Sequence, residues 1–109
     1  MRIWDLPPED LCRQHLLGEH RELHALWTIL TENKKGYSKH PETLRWYGRQ
    51  KALYLRHGAL VKEMIQRGYQ HHSNLNKQLA VGSAKQMEFI HGISEQNEIL
   101  RQKKCGCNV

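Results

Sequence analysis

Between residues 12 and 30 the apolar side chains Cys12, Leu16, Leu23, Leu26, Trp27 and Leu30 recur at spacings of three, four and seven. An α-helix gathers such positions on one stripe, whereas a strand scatters them over both faces. No window of the chain alternates convincingly with period two, so the fold has to be built from helices. Pro7 and Pro8 pre-set the entry, and Glu9 and Asp10 suit a first turn, which predicts a first helix over residues 8–30. Asn33, Gly36 and Ser38 then supply loop chemistry.

A second helix is predicted over residues 41–68, opened by Pro41 and closed by Gly68, with Trp46, Leu53, Leu60, Val61 and Met64 as its apolar stripe. Gly48 and Gly58 lie inside it, each weakening it by ~1 kcal/mol against alanine, and mark a kink or a close approach. After a polar loop, a third helix is predicted from Ser83 as N-cap, with Met87, Ile90, Ile93 and Leu100 as its buried edge. The expectation is an all-α, compact three-helix domain over residues 1–103. An extended N-terminal segment packs against or between the helices, and residues 104–109 fray.

With 109 residues the chain is the size of one domain, and it contains no apolar run of the ~18–20 residues that a membrane span needs. Seventeen Lys and Arg against eleven Asp and Glu give +6. The excess sits in residues 34–67, where nine bases face only Glu42 and Glu63, a net of +7. One-sided charge of this kind points to a polyanion, and Arg45, Arg49 and Arg56, on one face of the predicted second helix, are the expected nucleic-acid contacts. Three cysteines are too few and too oddly spaced for a disulfide scaffold and fit a reducing compartment.

Chemistry is concentrated on the polar side of the first helix. Gln14, His15, Gly18, Arg21, Glu22 and Ala25 fall within a sector of roughly 120°, opposite the apolar stripe. Residues 1–7 extended reach ~23 Å, enough to fold back along the helix and bring the α-amine of Met1 to Glu22. Met1 is expected to escape processing because Arg2 is large. An α-amine has a reference pKa near 7.7–8.0, so a sizeable fraction is nucleophilic near neutral pH, where a lysine offers about a thousandth. An amine attacking a sugar C1′ gains from that, and a neighbouring carboxylate can stabilise the oxocarbenium-like charge and shuttle protons.

Met1-Arg2-Ile3, followed by the run from Arg13 to Leu23 (Arg-Gln-His-Leu-Leu-Gly-Glu-His-Arg-Glu-Leu), resembles the pyrimidine dimer DNA glycosylase/AP lyase family. Trp46-Tyr47 and the stretch Glu63-Met64-Ile65-Gln66-Arg67-Gly68-Tyr69 resemble it too. The resemblance implies three helices with the N-terminal segment threaded between them. It implies that the Met1 amine forms a Schiff base at C1′ and that Glu22 is the catalytic carboxylate. Arg2 and Arg21 would hold phosphates, and Gln14 and His15 would line the site. The substrate would be double-stranded damaged DNA carrying pyrimidine dimers or abasic sites, cleaved by β-elimination. A cytoplasmic, nucleoid-associated monomer of bacterial or viral source is expected, with no membrane partner and no cofactor.

The remaining constellations are weaker. His20 and His24 have a metal-gripping spacing but no third ligand at helical spacing, and Cys105-Gly106-Cys107 lies in the tail, so no metal is expected. His71-His72 reads as a loop pair and His57 as a core histidine. Trp46 is either a core anchor or a stacking platform. Two other readings stand beside the enzyme: a basic helical module that binds nucleic acid without chemistry, and a lyase or glycosylase for another base lesion.

Overall fold

Among the described residues, four α-helices carry the fold: α1 (Arg13–Glu32), α2 (Pro41–Trp46), α3 (Gln50–Gln66) and α4 (Ile93–Lys103). They come from a computed structural model that describes residues 2–32, 39–70 and 74–109. Among the described residues there is no β-strand, only an isolated bridge between Arg49 and Gly82. Among these residues, no helix is long and apolar enough to cross a membrane. The architecture is all-α, as periodicity requires.

The first helix starts later than the proline pair suggested. Pro8–Asp10 forms only a 3-10 turn, and Leu11 is extended (φ −82°, ψ 138°), which lets its side chain enter the core. The helical ladder then opens with the Leu16 N–H donating to the Cys12 carbonyl. Of the expected stripe, Leu16, Leu23, Leu26, Trp27 and Leu30 are all buried, whereas Cys12 lies just before the helix and is half-buried.

The expected second helix is two helices. Gly48 adopts φ +72°, a left-handed conformation that breaks the ladder between α2 and α3. Residues 81–83 supply what a side-chain cap would otherwise give to α3. The Lys51 and Ala52 N–H groups donate to the carbonyls of Val81 and Ser83, and the Ser83 N–H returns to Gly48 O at 2.8 Å. Gly82 itself has φ +85° and lies so close to Gly48 that a Cβ there would overlap the Gly48 carbonyl. Gly58 leaves α3 unbroken, and Gly68 (φ +84°) ends it as expected.

The expected third helix is shorter by ten residues. Residues 83–92 are irregular, and Met87, Ile90 and Ile93 are exposed rather than buried, whereas Leu100 is in the core. The irregular stretch spends its polar groups on α2: the Gln86 side chain donates to Arg45 O, and Glu88 O accepts from Arg45. Helix α4 begins only after Gly92, whose N–H donates to Glu95.

Residues 2–6 thread through the middle. Ile3, Trp4 and Leu6 belong to the same core as α1, α3 and Leu100. Gln96, buried on α4, accepts from Asp5 N at 2.8 Å and donates to the Asp5 carboxylate at 3.0 Å. The tail expected to fray runs back against the start of α1: Asn108 N donates to Asp10 O at 2.7 Å, and Cys107 and Val109 pack on the core.

Candidate functional site

An open cleft of about 440 Å³ lies between the polar side of α1, the N-terminal segment and the end of α4. Five of the residues singled out from sequence line it together: Arg2, Gln14, His15, Arg21 and Glu22. Trp4, Gly18, Glu19, Ile99 and Lys103 complete the walls. A Cβ at Gly18 would meet nothing within 4 Å, so the cleft stays open over that turn of the helix. Met1 lies outside the described residues, as does the His71-His72 pair.

The N-terminal wall is built on Trp4. Its indole is buried, with the Arg2 guanidinium 4.9 Å from the ring centroid and the His15 ring edge-on at 5.8 Å. Arg2 also reaches His91 Nδ1 at 3.1 Å. Burial holds the His15 imidazole below its ordinary pKa, and the nearby Lys103 charge acts in the same direction. His15 is thereby favoured as a neutral ring.

Two carboxylates face different fates. The Glu19 side chain is fully buried and accepts from Arg56 through a two-pronged contact, Nε to Oε2 at 2.7 Å and Nη2 to Oε1 at 3.0 Å. The Trp4 N–H donates to the same Oε1 at 3.0 Å, and Arg56 Nη1 donates to Leu6 O at 2.7 Å. Burial pushes the Glu19 carboxyl up, against the pull of Arg56. Glu19 therefore clips the N-terminal segment to α1 and α3. Glu22, one turn on and half-buried, belongs to none of the ion pairs among the described residues; nor do Arg2 and Arg21. A carboxylate and two guanidiniums are thus left facing the cleft, joined by the exposed Lys103.

The arginines expected to grip nucleic acid from the second helix are used inside the molecule. Arg45 is 5% exposed and donates to Glu42, Asp5, Glu88 O and Ile3 O, while Glu42 also accepts from the buried Trp46 indole. Arg56 serves Glu19. Both are corrections: a guanidinium whose donors are taken by buried acids and carbonyls is a structural strut, not a phosphate grip. Arg49, partly exposed, reaches Glu88 and the Arg45 carbonyl. Trp46 is a core anchor rather than a stacking platform.

Sequence reasoning did not single out Glu19 or Lys103 for the site. Glu19 had a visible signal: at 100° per residue it falls within the apolar arc of α1, where a carboxylate demands a buried partner. Lys103 gave none, since only the tertiary fold brings α4 to α1. The same holds for His57, which is buried as expected but brings its Nε2 to 3.2 Å from His24 Nε2, itself 3.2 Å from His20 Nε2.

The family model for pyrimidine dimer DNA glycosylase matches residues 1–77, a span that takes in the N-terminal segment and the whole of α1, α2 and α3. No curated protein and no solved structure matches the chain. With more than half of its length inside that match, including the Arg2, Arg21 and Glu22 side of the cleft, the chain belongs to the pyrimidine dimer DNA glycosylase family, enzymes that act on DNA.

Proposed function

We propose that the protein breaks a glycosidic bond of a pyrimidine dimer in duplex DNA and cleaves the resulting abasic strand, using the α-amine of Met1 as nucleophile and Glu22 as its catalytic carboxylate. The observation that carries this reading is the shared cleft of Arg2 and Glu22. Residue 1 is one peptide unit, about 3.8 Å between Cα atoms, from Arg2.

The chemistry follows from the groups available. The amine attacks C1′ and the glycosidic bond breaks; the base takes up a proton and, in a dimer, stays joined to its neighbouring pyrimidine. The sugar ring then opens as O4′ departs from C1′ and is protonated, leaving an imine between C1′ and the terminal nitrogen. Loss of a C2′ proton and expulsion of the 3′ phosphate complete β-elimination, and water releases the enzyme. Glu22 stabilises positive charge at C1′ and then accepts the C2′ proton. Arg2, Arg21 and Lys103 supply cationic contacts for phosphates on either side, and Gln14 and His15 offer hydrogen bonds to the opened nucleotide. Glu19 and Arg56 act as positioning residues, holding Trp4 and Leu6 so that the N-terminal segment ends at the cleft.

Borohydride reduction during incubation with abasic duplex tests the mechanism. A covalent adduct on the N-terminal peptide, found by mass spectrometry and abolished by an N-terminal extension, is the expected result. An adduct on a lysine would overturn the terminal-amine step. The binding-only reading depended on Arg45, Arg49 and Arg56, two of which are occupied internally. It predicts no strand scission, whereas the enzyme nicks abasic duplex with no divalent cation added. Comparing dimer, abasic and ring-opened purine lesions in one duplex sequence fixes the substrate.

A further inference from the structure

We propose that Cys12, His15, Cys105 and Cys107 form a mononuclear structural zinc site that fastens the C-terminal tail to the start of α1. The four donor atoms lie within 4.8 Å of one another. Cys12 Sγ is 3.1 Å from His15 Nδ1, Cys107 Sγ is 3.5 Å from the same nitrogen, and the Cys105 and Cys107 sulfurs are 3.4 Å apart. A tetrahedron with Zn–S near 2.3 Å and Zn–N near 2.0–2.1 Å has edges of about 3.5–3.8 Å. These three separations come within about half an ångström of those edges. Donors this close surround one ion and leave no room for a cluster.

Local backbone geometry brings the four groups together. Cys12 and His15 sit a turn apart where α1 opens, so one ion can reach both. Lys104 (φ 51°) and Gly106 (φ +97°) are both left-handed, and these two reversals turn Cys105 and Cys107 back toward α1. The Cys12 N–H donates to Cys107 Sγ at 3.0 Å, which holds that sulfur against the start of α1. All three cysteines are free, and three thiolates with one imidazole form a closed ligand set of the kind used by structural zinc. Three thiolates and one Zn²⁺ carry −1 in all, and Arg13 and Lys104 adjoin the ligands in sequence, with Lys103 one position further.

The site reaches the cleft through His15, which belongs to both. Ligation through Nδ1 fixes the tautomer and leaves Nε2 as a proton-bearing donor. It also anchors the end of α4, and with it the Ile99 and Lys103 wall. The zinc is structural and takes no part in the imine chemistry.

His20, His24 and His57 form a second group able to hold metal, through nitrogen only, so the readout must be specific for sulfur. The untagged full-length protein, purified under reducing conditions, should contain zinc, and Cys105→Ser/Cys107→Ser should lose about one equivalent by elemental analysis. Cobalt(II) exchanged into the wild-type protein should give thiolate-to-metal charge-transfer absorption and the visible bands of a tetrahedral ion. The cobalt spectrum needs no variant, so a misfolded double mutant does not spoil the test. A wild-type protein with three reduced thiols and no charge-transfer band, or one isolated with a disulfide among these cysteines, overturns the proposal. Borohydride trapping on the same preparation reports separately on the terminal amine.

Discussion

Replacing Arg56 with methionine separates a strut from a phosphate grip. Glu19 would remain with a fully buried side chain and only the Trp4 N–H as donor. Removing one partner of a buried pair costs about 3–5 kcal/mol, and losing the bond to Leu6 O adds about 1 kcal/mol. Domains of this size have about 5–15 kcal/mol in all, so urea unfolding followed by circular dichroism should show a large fall in midpoint. Adding Glu19→Gln removes the stranded charge while keeping an acceptor for Trp4 N–H, and should recover about 2 kcal/mol or more. The loss should also depend on pH. Burial already raises the folded-state pKa of Glu19 above its unfolded value of 4.5, and without Arg56 it rises further. A carboxyl raised on folding is best tolerated below its unfolded pKa, and that tolerance is lost as pH rises through the folded value. The Arg56→Met deficit should therefore shrink between pH 7 and pH 5. A variant within about 1 kcal/mol of wild type at pH 7, or a double variant no better than the single one, would refute the strut.

Other expectations address the cleft and its scaffold. Glu22→Gln should slow glycosidic cleavage by about 10² or more in single-turnover assays while leaving DNA binding intact, because charge is removed and shape is kept. Arg21→Ala and Lys103→Ala should each reduce the slope of log K against log salt by about 0.9 in fluorescence-anisotropy titrations, if each meets one phosphate. Gly82→Ala should destabilise the protein by about 1–3 kcal/mol in thermal melts, since it forces a side chain onto a left-handed backbone against the Gly48 carbonyl.

Period and composition carried the helical class because α1 buries a regular stripe, and they brought five cleft residues onto one helix face or next to it. They failed where an interaction spans the chain. Arg45 reads as surface charge until Asp5 and Ile3, forty or more residues away, take its donors. Met87 and Ile90 have helical spacing, yet residues 83–92 stay irregular and hydrogen-bond to α2 through Gln86 and Glu88. Ser83 therefore opens no helix of its own; its N–H closes on Gly48 and its carbonyl accepts from Ala52 at the start of α3. Glu19 was legible in principle, as an acid on an apolar arc. Lys103 was not, because nothing local reports that α4 ends beside α1.

The threading of residues 2–6 has a consequence for how the protein is born. Asp5 is fastened by Gln96, and Arg2 meets His91, so these contacts join parts of the chain about ninety positions apart. Translation delivers the first of these segments long before the second. A nascent chain carrying α1 through α3 already has Glu22 and Arg21 but has neither Ile99 nor Lys103 to close the cleft. Its N-terminal segment must wait unfastened on one side, with the entropy of a long loop still to be lost. The cleft in this fold is thus walled in only after residues 96–103 have left the ribosome, and not by gradual accretion from the N-terminus.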